Sequence, residues 1–126
     1  MTQNNEIVID IPSTPPSANR MWRTNPRGGM YISKDAKAWY DLVRLQTSSV
    51  ELPGNWKYYA VAIEIEPRSK RGDVDNRIKP VLDALTKARL WEDDDRVAFV
   101  SCEFGRVSKT GRTIVRISER EKKYLS

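Results

Sequence analysis

Tyr59, Val61, Ile63 and Ile65 alternate with Ala60, Ala62 and Glu64 between a Pro53-Gly54-Asn55 turn and Pro67. Successive strand side chains leave opposite faces, so this two-residue period predicts a strand with one buried side. The period then changes. Ile78, Val81, Leu82 and Leu85 recur at i, i+3, i+4 and i+7, with Asn76, Lys79, Asp83 and Lys87 on the other side, which predicts an amphipathic helix reaching about residue 89. Ile7, Ile9 and Ile11 mark an earlier strand that Pro12 ends. Ser33 is placed to cap a helix over residues 34–46, in which Ala38, Trp39, Leu42, Val43 and Leu45 recur near helical spacing. Strands over 96–104 and 113–118, separated by residues 105–111, are expected to pair as an antiparallel hairpin. Residues 13–33, rich in Pro, Asn, Arg and Gly, read as a long loop or a small hairpin turning at Asn25-Pro26-Arg27-Gly28-Gly29. Residues 119–126 read as a charged, frayed tail. The expectation is one α+β domain over residues 1–126, with a mixed sheet of about four main strands and two principal helices packed on it.

Charge and missing residue types narrow the chemistry. Lys and Arg number 22 against 17 Asp and Glu, a formal charge of +5 that suits a polyanionic partner. Histidine is absent, which excludes Ser-His-Asp triads, imidazole bases and His-containing zinc sites. Cys102 is the single cysteine. It has no partner for an internal disulfide or a Cys-rich metal site, so a reducing, intracellular setting and a core thiol are expected. The start Met1-Thr2-Gln3-Asn4-Asn5-Glu6 is polar and no apolar run approaches ~18 residues, so neither a leader nor a membrane span is expected.

Two acidic clusters flank the second helix: Arg71-Gly72-Asp73-Val74-Asp75-Asn76-Arg77-Ile78-Lys79 before it and Trp91-Glu92-Asp93-Asp94-Asp95 after it. In an extended backbone Asp73 and Asp75 leave the same face and can converge on one cation. Asp94 lies beyond the helix, and a following strand laid beside the first would let the chain return it to the same end. Hard carboxylate oxygens suit magnesium, held at about 2.0–2.1 Å by one or two carboxylates, waters and substrate phosphate. Lys79 is placed to offset charge building on a phosphorane or leaving oxygen. Each group also has a plain structural use. Asp75 is a good helix cap, Asp73 suits a turn, Asp93-Asp94-Asp95 suits a solvated connection, and Lys79 is spaced to pair with Asp83.

The combination of Pro15-Pro16-Ser17-Ala18-Asn19-Arg20, the D-x-D-N-x-x-K run from Asp73 to Lys79, and Asp83-Ala84-Leu85-Thr86-Lys87-Ala88 followed by Trp91-Glu92-Asp93-Asp94 resembles the RusA-type Holliday-junction resolvases of bacteria and their phages. The likeness runs in order along nearly the whole chain. It implies a crossover junction endodeoxyribonuclease that nicks four-way DNA junctions symmetrically, as a homodimer, in recombination and repair. Asp73, Asp75 and Asp94 would be its metal carboxylates, Lys79 its catalytic lysine, Mg2+ its cofactor and Mn2+ a substitute. A bacterial or phage-encoded cytoplasmic protein is implied, with branched DNA as partner and no membrane. A non-catalytic basic nucleic-acid-binding module and a less selective branched-DNA nuclease are the alternatives.

Arg20, Arg68, Lys70, Arg71 and Arg77 are the expected DNA contacts, since backbone phosphate is what such side chains grip. Gly72 stands where an arginine can occur in the family, so the phosphate grip there is expected to pass to Lys70 or Arg71. Pro80 should tilt or kink the first turn of the second helix unless that helix starts later. Trp22 and Tyr31 are expected to pack in the hairpin, with stacking on an unpaired base as the other use. Trp39, Trp56 and Trp91 are expected in the core or a dimer interface.

Overall fold

A computed structural model describes residues 5–70 and 72–125. Six strands and two helices follow in the order β1 (Glu6–Ile11), β2 (Trp22–Thr24), β3 (Met30–Ile32), α1 (Lys34–Thr47), β4 (Tyr58–Glu66), α2 (Ile78–Lys87), β5 (Val97–Phe104) and β6 (Arg112–Arg120). Four of the strands form one mixed sheet in the order β1-β6-β4-β5, while β2 and β3 make a separate small hairpin. The α+β class, the four-stranded sheet and the two helices are as the sequence predicts.

The alternation in β4 buries Tyr59, Val61, Ile63 and Ile65, and Val115 and Ile117 of β6 and Ile9 and Ile11 of β1 extend that apolar face. Onto it pack Trp39 and Val43 of α1 and Val81, Ala84 and Leu85 of α2, in one cluster with Trp56 and Trp91. All three core tryptophans are therefore interior. The helical face of α1 is rotated from the expected one: Ala36, Trp39, Val43 and Thr47 are buried, whereas Ala38 is exposed and Leu45 is 66% exposed. Ser33 caps this helix, its Oγ accepting from Ala36 N at 3.2 Å.

The expected β5–β6 hairpin is not formed. Both strands pair with β4 instead, β5 parallel and β6 antiparallel, so β4 is inserted between them. Residues 105–111 pass over the end of β4, with Gly105 N donating to Ile65 O at 2.7 Å and Ser108 N to Pro67 O at 2.8 Å. A seven-residue connection is long enough to span one strand, and β4 offers partners on both edges. The charged tail is also shorter than expected, because Glu119 and Arg120 belong to β6 and pair with Tyr59 and Tyr58. Within residues 13–33 the small hairpin is present, closed by Asn25 N to Gly29 O at 2.8 Å. Trp22 (54% exposed) and Tyr31 (51%) do not pack inside it.

Candidate active site

β1 and β4 both run antiparallel to β6, so their carboxyl ends lie on the same edge of the sheet. The segments leaving those ends, residues 13–20 and, among the described residues, 68–70 and 72–77, meet there around a cleft of about 810 Å³. Arg77 Nη1 donates to Pro15 O at 2.8 Å, Thr113 Oγ1 to Ser13 O at 2.7 Å, and Ser33 Oγ to Arg20 O at 2.7 Å. Two motifs more than fifty residues apart in sequence are thereby joined into one wall. Asp73, Asn76, Arg20, Arg68 and Arg77 all line the cleft, with Asp35 and Trp39 of α1 opposite.

Asp75 opens a short 3-10 turn, Asp75–Arg77, that leads into α2. The α-helix itself starts at Ile78, which puts Pro80 in the first turn, where its missing N–H breaks no helical bond. Pro80 O also accepts from Trp39 Nε1 at 3.0 Å, pinning this end of α2 to α1. Asp75, Lys79 and Asp83 follow one another at four-residue spacing, and Lys79 Nζ reaches Asp83 Oδ2 at 3.3 Å. Lys79 is 76% exposed.

Asp94 reaches its place by a different route. α2 ends with Ala88 as its last cap; Arg89 adopts φ 61°, its N–H bonds Thr86 O at 3.0 Å, and Leu90 N bonds Leu85 O at 3.1 Å. This pair of bonds turns the chain sharply back, with Arg89 where glycine is usual. Trp91 then stacks on Tyr59 at 5.6 Å and donates Nε1 to Thr86 Oγ1 at 2.7 Å. Asp93, the cap of the next short turn, takes the Asp95 N–H at 3.1 Å. β5 does lie beside β4, but parallel to it, so Asp94 enters level with the start of β4 rather than its end. From there it faces α2. Partial burial raises its pKa first, then hydrogen bonding to Asp93 and the charges of Asp93 and Asp83, while Lys79 opposes the rise.

The expected site residues thus fall into two groups. Asp73 joins Arg20, Arg68 and Arg77 in the cleft; Asp94 joins Lys79 and Asp83 beside α2, with Asp75 one turn before Lys79. Among the described residues no three acidic side chains gather closely enough to enclose a cation. Magnesium rarely uses an all-protein cage, and exposed hard-oxygen carboxylates, with Asp94 crowded by other acids, are donors that suit it. Lys70 is exposed, and Arg71 lies outside the described residues. Sequence reasoning missed Asp35 and Asn19 as cleft residues and Tyr40, whose hydroxyl pKa is raised by burial and by Asp83. The Asn-Arg pair after Pro15-Pro16 held a signal for Asn19; nothing local marks the other two. Burial of Arg77 lowers its pKa, and the nearby charge of Arg20 adds to that. Burial pushes the Cys102 thiol up to about 11, consistent with an unreactive packed thiol.

Residues 12–118 match the family described as endodeoxyribonuclease RusA. The crossover junction endodeoxyribonuclease RusA of Shigella sonnei is 37% identical over 117 residues, covering 91% of this chain and 96% of the relative. The protein of the same name from Escherichia coli K12 is 36% identical, and that of Enterobacteria phage 82 is 38% identical, each over the same shares. The chain belongs to the RusA family of crossover junction endodeoxyribonucleases.

Proposed function

We propose that this protein is a magnesium-dependent, structure-selective endonuclease that resolves four-way DNA junctions by paired, symmetrical nicks in recombination and repair, working inside a bacterial or phage-infected cell. The observation that carries this reading is the cleft itself. Arg20, Arg68 and Arg77 lie beside Asp73, which puts cationic grip and an acidic group within one binding surface. Such a surface attracts a phosphodiester and seats a divalent ion against it. Asp73, Asp75 and Asp94, which stand in two groups, are the carboxylates that would have to close on that ion, with Mn2+ able to replace Mg2+. A bound ion supplies Lewis acidity at the scissile phosphate and lowers the pKa of an attacking water.

The chain's own residues do the rest. Arg20, Arg68, Lys70, Arg71 and Arg77 fix the backbone. Lys79, exposed on its helical turn, leaves Asp83 to offset negative charge on the phosphate as the bond breaks. Asp83 holds Lys79 in reserve until then. A homodimer matches the two-fold symmetry of the substrate, one site for each of two opposed strands.

The separation of the acidic side chains favours one second reading, a non-catalytic module in which the aspartates only cap and turn. A synthetic four-way junction with magnesium, a chelator control, a flap substrate and a linear duplex separates these. Paired nicks in the junction alone support the proposal. Cutting of the flap as readily indicates a less selective nuclease, and binding indifferent to chelator without nicking indicates the module. Asp73→Asn is expected to lower cleavage by more than about a hundredfold while junction binding survives or tightens, since one repelling charge is gone. Cleavage at the parental rate would remove Asp73 from the mechanism.

A further inference from the structure

Gly72 and Arg77 are five residues apart, yet they share one space. Gly72 has φ +96°, and a Cβ built on it would lie 2.8 Å from Arg77 Nη2 and 3.7 Å from Arg77 Cζ. The tip of the guanidinium, its Nη2, therefore sits in the volume that a Cβ at position 72 would take. Its other terminal nitrogen is tied to Pro15 O at 2.8 Å. Arg20 is near enough for the two positive charges to oppose each other, and both line the same cleft as Asp73. Among the described residues neither arginine has an ion pair. Two guanidinium groups brought together, one half-buried and neither ion-paired among the described residues, are in the state that a bound phosphate relieves.

We infer that Arg77 and Arg20 form a single seat for the DNA phosphate neighbouring Asp73, and that Gly72 is a positioning residue whose missing side chain gives the Arg77 guanidinium its place. The inference rests on the nuclease reading and deepens it. It moves the grip at this point from Lys70 or Arg71, expected from sequence, to a residue on the far side of the aspartates. A side chain at 72 would push the Arg77 Nη2 out of its present place.

The test is binding of a synthetic four-way junction, with calcium replacing magnesium to prevent cutting, across a salt series. Arg77→Met is expected to weaken binding on the order of tenfold, the loss of one charge-assisted contact, and to lower the salt slope by about 0.9. Gly72→Ala carries the backbone strain of φ +96° in both backgrounds, so its loss should be larger in the parent than when Arg77 is already Met, the difference being the displaced guanidinium. Arg20→Met and Arg77→Met combined should cost less than the product of the single losses, since both grip one phosphate; this pair carries the test if Gly72→Ala fails to fold. An equal loss from Gly72→Ala in both backgrounds would overturn the positioning role. Unchanged affinity and slope in Arg77→Met, with the parent still binding and nicking junctions, would overturn the seat. Failure of the parent to bind junctions at all would instead strike the functional reading beneath it.

Discussion

The two ends of α2 carry acidic groups of the same kind on very different supports. At the far end Asp93 and Asp94 follow a tightly bonded turn, and Trp91 anchors that turn to the core through Tyr59 and Thr86. At the near end Asp73 stands on an exposed segment held across the cleft by one side-chain bond, from Arg77 to Pro15. A pre-set carboxylate thus faces an adjustable one. On the proposed function, that division would let branched DNA and its ion complete one half of the site while the fold fixes the other.

The sharpest way to break the contrast is at its anchor. Trp91→Ala removes a stacked, buried ring and leaves Thr86 Oγ1 without its donor, and should lower unfolding free energy by about 3–5 kcal/mol in a denaturant titration. A loss below about 1 kcal/mol, the range of ordinary surface changes, would show that the turn is not held by the core. Arg89→Gly should act in the opposite sense, raising stability by about 1 kcal/mol, because φ 61° costs an arginine what it does not cost glycine. A fall in melting temperature would mean that the Arg89 side chain contributes more than its backbone costs. Arg77→Met should have the smallest effect, within about 0.5 kcal/mol: the lost bond to Pro15 is offset by relief of the opposed charge of Arg20. Stability and DNA affinity should therefore separate cleanly at Arg77 and not at Trp91.

Local pattern carried much of this molecule. The alternation at Tyr59–Val61–Ile63–Ile65, the spacing from Ile78 to Leu85 and the capping Ser33 each specify an element by contacts within a few residues, and each element formed where the pattern lay. The pairing of β5 was not legible, because an intervening turn of residues 105–111 is equally compatible with a hairpin and with a connection over a third strand. That choice is made by β4, which is more than thirty residues earlier in the chain. The same topology explains why Asp94 does not simply rejoin Asp73: a parallel neighbour brings its start, not its end, to the start of β4. Leu45 misled for another reason. Thr47 took the buried place one turn on, satisfying its hydroxyl with Val43 O at 2.9 Å, and left Leu45 outside. Nor does any sequence rule place the Arg77 guanidinium over Gly72, since that depends on Pro15 being held across the cleft.

Among the described residues β1 hydrogen-bonds to β6 and to no other strand, with Glu6 opposite Ser118. β1 must therefore wait for β6 before its ladder can close, since that partner is more than a hundred residues further along the chain. Until β6 pairs, the Pro15 segment has no fixed floor and the arginines it gathers stay dispersed. Assembly of the cleft is thus tied to the closing of β6 on β1, and a chain in which that ladder has not formed would lack the floor that gathers its arginines.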